Sequence, residues 1–285
     1  MLRASATATF LLACLLFGRP ALAADRYFVT SDGVRLHYTE VGQGRTIVMV
    51  PGWTMPAWIF DRQIRAFSRF YRVVAFDPRS QGESEVASSG HDPWRRGQDI
   101  AELLEQLGPE PVLLMGWSLG VLDSLAYING HGDRRVAGLV LIDNSVGEDP
   151  PPSGSGSAAP RRRGAPPTRA ERMRAFVDGM FTRPLPKSYL ERLVEACLRT
   201  PPAAAAALLS YPVPRTFWKE ALYSTSHPVL YVVRPTWAGQ AANVAQRHPN
   251  AETVIMQGVG HALFVDDPDR FDRVVTDFIR RRVWP

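Results

Sequence analysis

From residue 46 onward the chain repeats one rhythm: a short unbroken run of Val, Ile and Leu, then a longer stretch with apolar residues every three or four positions. The runs at 46–50, 72–76, 111–115, 137–142, 228–233 and 252–256 have strand length and lack polar alternation. That pattern suits strands covered on both faces of a parallel sheet. Helical periodicity fills 57–70, 94–107, 119–129 and 268–282. Strand and helix in alternation predict an α/β fold, a doubly wound and mostly parallel sheet with right-handed crossovers. Two further strands, 27–30 and 34–41, precede it, joined by the turn Ser31-Asp32-Gly33.

The rhythm fails between residues 147 and 227. Residues 148–167 are dominated by Pro, Gly, Ser, Ala and Arg and are expected to be poorly ordered. Helical patterns follow at 169–181, 186–199 and 202–209, then a turn-rich stretch at 210–214. The expected organisation is a core at 24–146 and 228–285, interrupted by a helical insertion at 147–227.

The first 23 residues read as an export signal, with Arg3 as the positive end, an apolar stretch at 8–17 and the small-x-small pattern Ala21-Leu22-Ala23. The apolar stretch is shorter than the about 20 residues a bilayer span needs. A mature chain starting at Ala24 is therefore expected in the periplasm or outside the cell, with no stable membrane insertion after cleavage. Lipidation at Cys14 is the rival processing route, but Leu15, Leu16 and Phe17 continue the apolar run past that cysteine. Cleavage would leave Cys197 alone, so no intrachain disulfide can form. No His/Cys cluster has metal-ligand spacing, and neither metal nor cofactor is expected. The formal charge of +5 is almost all arginine, since Lys187 and Lys219 are the only lysines. The basic run Arg161-Arg162-Arg163 lacks interleaved aromatics, which argues against a nucleic-acid partner.

Three short motifs carry chemistry. Gly116-Trp117-Ser118-Leu119-Gly120 directly follows a predicted strand and opens a predicted helix. A serine in that sharp turn is thrust out at the carboxyl edge of the sheet, beside a helix N-terminus that favours negative charge. Gly258-Val259-Gly260-His261 follows the last strand, so His261 comes after the serine in the order such a site requires. Val50-Pro51-Gly52-Trp53 ends the 46–50 strand, where a loop can lend a backbone N–H to an oxyanion. The expected oxyanion donors are therefore the N–H groups of Leu119 and Trp53.

Taken together the chain resembles the α/β-hydrolase superfamily. The resemblance rests on Pro51-Gly52-Trp53, on the loop Asp77-Pro78-Arg79-Ser80-Gln81-Gly82-Glu83-Ser84, on the serine turn, and on Gly260-His261 followed by Asp267-Pro268. It implies that Asp77 and Arg79 are scaffolding and that 147–227 forms a cap over the site. The family's acid most often follows the seventh strand, yet residues 234–246 contain no Asp or Glu. Some members carry it after the sixth strand, which by the same resemblance makes Asp143 the third member. Asp123, Glu148, Asp149 and Asp266 are worse placed, with Asp266 and Asp267 expected at the start of the last helix.

The function this implies is a serine hydrolase: Ser118 attacks a small-molecule ester, His261 moves the proton and Asp143 steadies the imidazole. Met55, Trp117 and Phe264 flank the motifs and are expected to wall an apolar pocket. Alternatives are perhydrolase, amidase or lactonase chemistry on the same triad, or a non-catalytic binding protein on a hydrolase scaffold.

Overall fold

A computed structural model describes residues 23–149 and 166–285. Nearly all of the expected signal and most of the Pro/Gly/Ser/Arg-rich stretch lie outside the described residues, as does Cys14.

The sheet has eight strands: β1 (Ala24–Val29), β2 (Arg35–Val41), β3 (Thr46–Val50), β4 (Arg72–Asp77), β5 (Val112–Trp117), β6 (Val136–Ile142), β7 (Val229–Val233) and β8 (Ala251–Ile255). Their spatial order is β1-β2-β4-β3-β5-β6-β7-β8. β1–β2 and β2–β4 are antiparallel, and every later pair is parallel. Each residue of β3, β5 and β7 is buried, which explains their unbroken apolar runs, whereas the edge strands β1 and β8 are partly exposed.

Helices cover both faces: α1 (Asp61–Phe67), α2 (Pro93–Gln106), α3 (Leu119–His131), then α4 (Arg169–Asp178), α5 (Lys187–Arg199), α6 (Pro202–Leu208), α7 (Thr216–Ser224), α8 (Ala238–Arg247), α9 (Leu263–Asp266) and α10 (Pro268–Phe278). The period-two alternation of β3 shows how the faces divide. Val48 and Val50 join a core with Ile100, Leu104, Val121 and Leu125 of α2 and α3. Ile47 and Met49 join the opposite core with Ile64, Phe271 and Val275 of α1 and α10. Local chemistry sets the helix starts. The Asp92 carboxylate accepts the Arg95 N–H with Pro93 at the first position of α2, and Thr168 and Glu171 form a reciprocal cap on α4.

Helices α4 to α7 occupy the interval between β6 and β7, and the turn-rich stretch 210–214 leads into α7, a helix not among the patterns read from the sequence. Glu148, placed in the poorly ordered stretch, is instead wholly buried: Tyr223, Lys219, Arg247 and the Asp149 N–H all donate to its carboxylate. Burial alone would push that carboxyl up, but the Asp149, Lys219 and Tyr223 bonds outweigh it and hold it down at about 2.

Candidate active site

In a parallel sheet the loops that follow successive strands gather at one edge, where α/β folds hold ligands. Here the loops after β3, β5, β6, β7 and β8 bring Trp53, Ser118, Asp143, Arg234 and His261 to that edge. The larger hollow of about 840 Å³ lies at the opposite edge, among strand starts such as Thr46, Arg72 and Val136, away from these groups.

Ser118 sits between β5 and α3 with φ of 54° and ψ of −118°, a conformation a side chain adopts only under constraint. Its N–H donates to Ile142 O at 2.9 Å, and its carbonyl accepts from Asn144 Nδ2 at 2.7 Å. The flanking glycines are obligatory. A Cβ on Gly116 would lie 2.2 Å from Gly120 O, and one on Gly120 would lie 2.2 Å from Val50 O. Asp143 is also left-handed, with φ of 49°, and its N–H donates to Val232 O of the neighbouring strand at 2.9 Å.

These two turns and the β8 loop bring three side chains into line. His261 Nε2 lies 2.8 Å from Ser118 Oγ, and His261 Nδ1 lies 2.6 Å from Asp143 Oδ2. The Asp143 side chain is fully buried while the imidazole stays 22% exposed, so one end of the relay is dry and the other is open to a ligand.

Among the described residues, no protein acceptor takes the backbone N–H of Trp53 or of Leu119. Trp53 in the β3 loop and Leu119 at the start of α3 are brought into close approach, since a Cβ on Gly52 would lie 2.9 Å from Ser118 Cβ. Trp53 is further tied by its indole N–H, which donates to Ala205 O of α6 at 2.7 Å.

Met55, Trp117 and Phe264 do not wall a pocket, correcting the sequence expectation: they are 1%, 1% and 0% exposed and belong to the core beneath the site. Their apolar size was read correctly, but their direction was not. Trp117 instead holds the histidine, its indole N–H donating to His261 O at 2.9 Å. An apolar cleft of about 320 Å³ lies between α4 and α6, lined by Trp53, Met173, Phe176 and Leu209 with Arg169 and Arg172; it shares Trp53 with the site, while Ser118 and His261 are not in its lining.

Three supporting residues escaped the sequence reading. Gln81, buried in the β4 loop, accepts the Thr54 N–H at 2.8 Å and donates to Gly52 O at 3.1 Å and Met55 O at 3.3 Å. Asp266, expected at the start of the last helix, instead ends α9, and its Oδ2 accepts from the Gly260 N–H at 2.6 Å and from the N–H and hydroxyl of Thr182. It thus ties the His261 loop to the α4–α5 connection. Arg234 stands against Asp143 and His261. Only its place in a segment empty of acids could have marked it in the sequence. Asp77 and Arg79 form scaffolding bonds, the first accepting the Ala57 and Glu83 N–H groups and the second pairing with Asp99 and Asp32. No group of three or more His, Cys, Asp or Glu among the described residues could hold a metal ion.

The sequence profile of the alpha/beta hydrolase family matches residues 47–274. The chain belongs to that family. A non-heme haloperoxidase of Rhodococcus erythropolis is 38% identical over 117 residues, 40% of this chain and 43% of that protein. The chain thus matches less than half the length of that curated relative. The esterase RhEst1 from Rhodococcus sp. ECU1013 superposes with a TM-score of 0.74 at 26% identity, over 90% of this chain and 99% of that one. A bromoperoxidase from Bacillus anthracis superposes with a TM-score of 0.76 at 19% identity, over 90% and 100%, a likeness of fold alone.

Proposed function

We propose that this α/β hydrolase is an exported serine hydrolase that cleaves esters of small, apolar substrates through an acyl-enzyme. The observation that carries the reading is the unbroken relay from Ser118 Oγ through the imidazole to a buried carboxylate, at 2.8 and 2.6 Å. Ser118 attacks the ester carbonyl as His261 Nε2 takes its proton, and Asp143 stabilises the cation so formed. The carbonyl oxygen becomes an anion facing the unpaired N–H groups of Trp53 and Leu119, each worth about 3 kcal/mol in such a role. His261 returns the proton to the departing alcohol, and water repeats the sequence on the acyl-enzyme. The apolar walls between α4 and α6, here read as part of a cap, favour an uncharged acyl or alcohol group.

Fluorophosphonate labelling and an ester panel of graded acyl length, run on wild type and Ser118→Ala, test the reading. Wild type should label at Ser118, and the variant should lose turnover on the order of a million-fold while staying folded. A clean Ser118→Ala protein retaining several per cent of activity would remove the serine. Asp143→Asn should cost about 10⁴-fold, because the amide can favour the wrong imidazole tautomer. The haloperoxidase similarity favours a second reading, in which hydrogen peroxide replaces water at the acyl-enzyme and a peracid leaves. Adding peroxide to the same panel separates the two: faster acyl release with peracid formation marks the perhydrolase.

A further inference from the structure

Arg234 directly follows β7, which lies between the strand leading to Asp143 and the strand leading to His261. Its backbone N–H donates to Asp143 Oδ1 at 2.9 Å, and its Nε donates to Oδ2 at 2.6 Å. Oδ2 is the oxygen that also faces His261 Nδ1. A terminal guanidinium nitrogen of Arg234 lies 3.4 Å from that same Nδ1. One side chain therefore touches both partners of the acid–base pair.

Given the serine-hydrolase reading on which this rests, we propose that Arg234 is the positioning residue of that pair. It aims the carboxylate at the imidazole and offsets the buried negative charge with a permanent positive one. The need for a cation follows from burial. Asp143 is fully enclosed and, while His261 is neutral, Arg234 is its only cationic partner among the described residues. An isolated carboxylate in such a place would be strongly disfavoured. The charged groups facing the imidazole and its loop are Asp143 from β6, Arg234 from β7, and Asp266 from α9 through the Gly260 N–H. Ser118, Trp117 and the Met180 carbonyl supply only neutral contacts. Removing the guanidinium should thus loosen the carboxylate that orients the imidazole.

The test compares wild type, Arg234→Met and Arg234→Lys, with fluorophosphonate labelling to count competent Ser118 and steady-state kinetics on a p-nitrophenyl ester. Arg234→Met should lower kcat about tenfold with KM little changed, the scale of one lost charged hydrogen bond. Arg234→Lys, which keeps the charge without the fork, should recover part of that loss and give an intermediate kcat. A methionine variant with wild-type kcat, or one altered only in KM, would overturn the proposal. Should that variant fail to fold, the lysine variant decides: a lowered kcat with unchanged KM supports the role, and wild-type kcat overturns it. Wild type that neither labels nor hydrolyses esters would overturn the serine-hydrolase reading and this role with it, an outcome distinct from any difference between variants.

Discussion

Gln81 takes no part in bond making, yet it holds the loop that presents the Trp53 N–H through the three hydrogen bonds it makes to Gly52, Thr54 and Met55. Gln81→Ala removes all three. A shift of about 1 Å in a catalytic group can cost about 100-fold in rate. The variant should therefore lose kcat by up to about 100-fold, with KM little changed. Steady-state kinetics on one ester checks this, and an unchanged kcat would mean the loop holds itself. At this scale the sequence was most readable where chemistry demands a residue in a fixed local frame. Ser118 sits between glycines that tolerate no Cβ, and His261 follows one that would press a Cβ to 2.2 Å from Met180 O. Asp143 was reached only through a likeness to other proteins, because nothing local distinguishes a carboxylate at a strand end. Met55, Trp117 and Phe264 were misread because flanking a motif says nothing about which face of the sheet a side chain enters. Gln81 and Arg234 were missed because each acts by hydrogen bonds to residues remote in sequence.

The strands were the most legible elements, since burial on both faces leaves an uninterrupted apolar run. β3 was placed at Thr46–Val50 to the residue. Two helices, α7 and α8, were not read from the sequence. α8 buries only Gln240, Ala241 and Val244, so its sequence carries almost no apolar stripe. α7 was hidden by the prolines that precede it. Glu148 links both to the chain leaving β6, through Lys219 and Tyr223 on α7 and Arg247 on α8. Its carboxyl is held at about 2, below the ordinary 4.5. A depressed carboxyl contributes stability that is fully present above the ordinary value and is lost as pH falls toward the depressed one. At about 1.36 kcal/mol per unit, that contribution is on the order of 3 kcal/mol at neutral pH. Glu148→Gln should therefore melt several degrees lower than wild type at pH 7, about 2–4 °C per kcal/mol for a chain of this size. The gap should narrow as the pH falls from about 4.5 to about 2. A constant gap across that range would show that the carboxylate charge is not what joins the three elements.

For the molecule as a whole, the doubly wound α/β architecture followed from the order of strands and helices before any side chain was placed. What resisted reading was how 169–224 meets the rest of the molecule, because those contacts join groups remote in sequence. Thr200 donates to Ser80 O at 2.7 Å, for example, and the Ala262 N–H to Met180 O at 3.2 Å. Among the described residues no helix is long and apolar enough to cross a membrane. Export therefore has its own test. Material recovered from a secreting host should begin at Ala24 and carry no lipid, as intact mass and N-terminal sequencing would show. A diacylglyceryl group on Cys14 would instead make the protein membrane-anchored.

Trp53 makes one bond with a wider consequence. Its indole donates to Ala205 O of α6, its ring forms part of the cleft lining, and its unpaired backbone N–H faces the proposed oxyanion position. Occupancy of the cleft and stabilisation of the tetrahedral adduct thus draw on the same residue, and coupling between the two events is the expected outcome. Linkage is reciprocal: if an apolar ligand in the cleft tightens binding of a boronic acid at Ser118 by some factor, the boronic acid tightens that ligand by the same factor. Titrating each in the presence and absence of the other measures that factor twice. Shortening the indole by Trp53→Phe, which removes the tether and keeps the main-chain donor, should bring both values toward one.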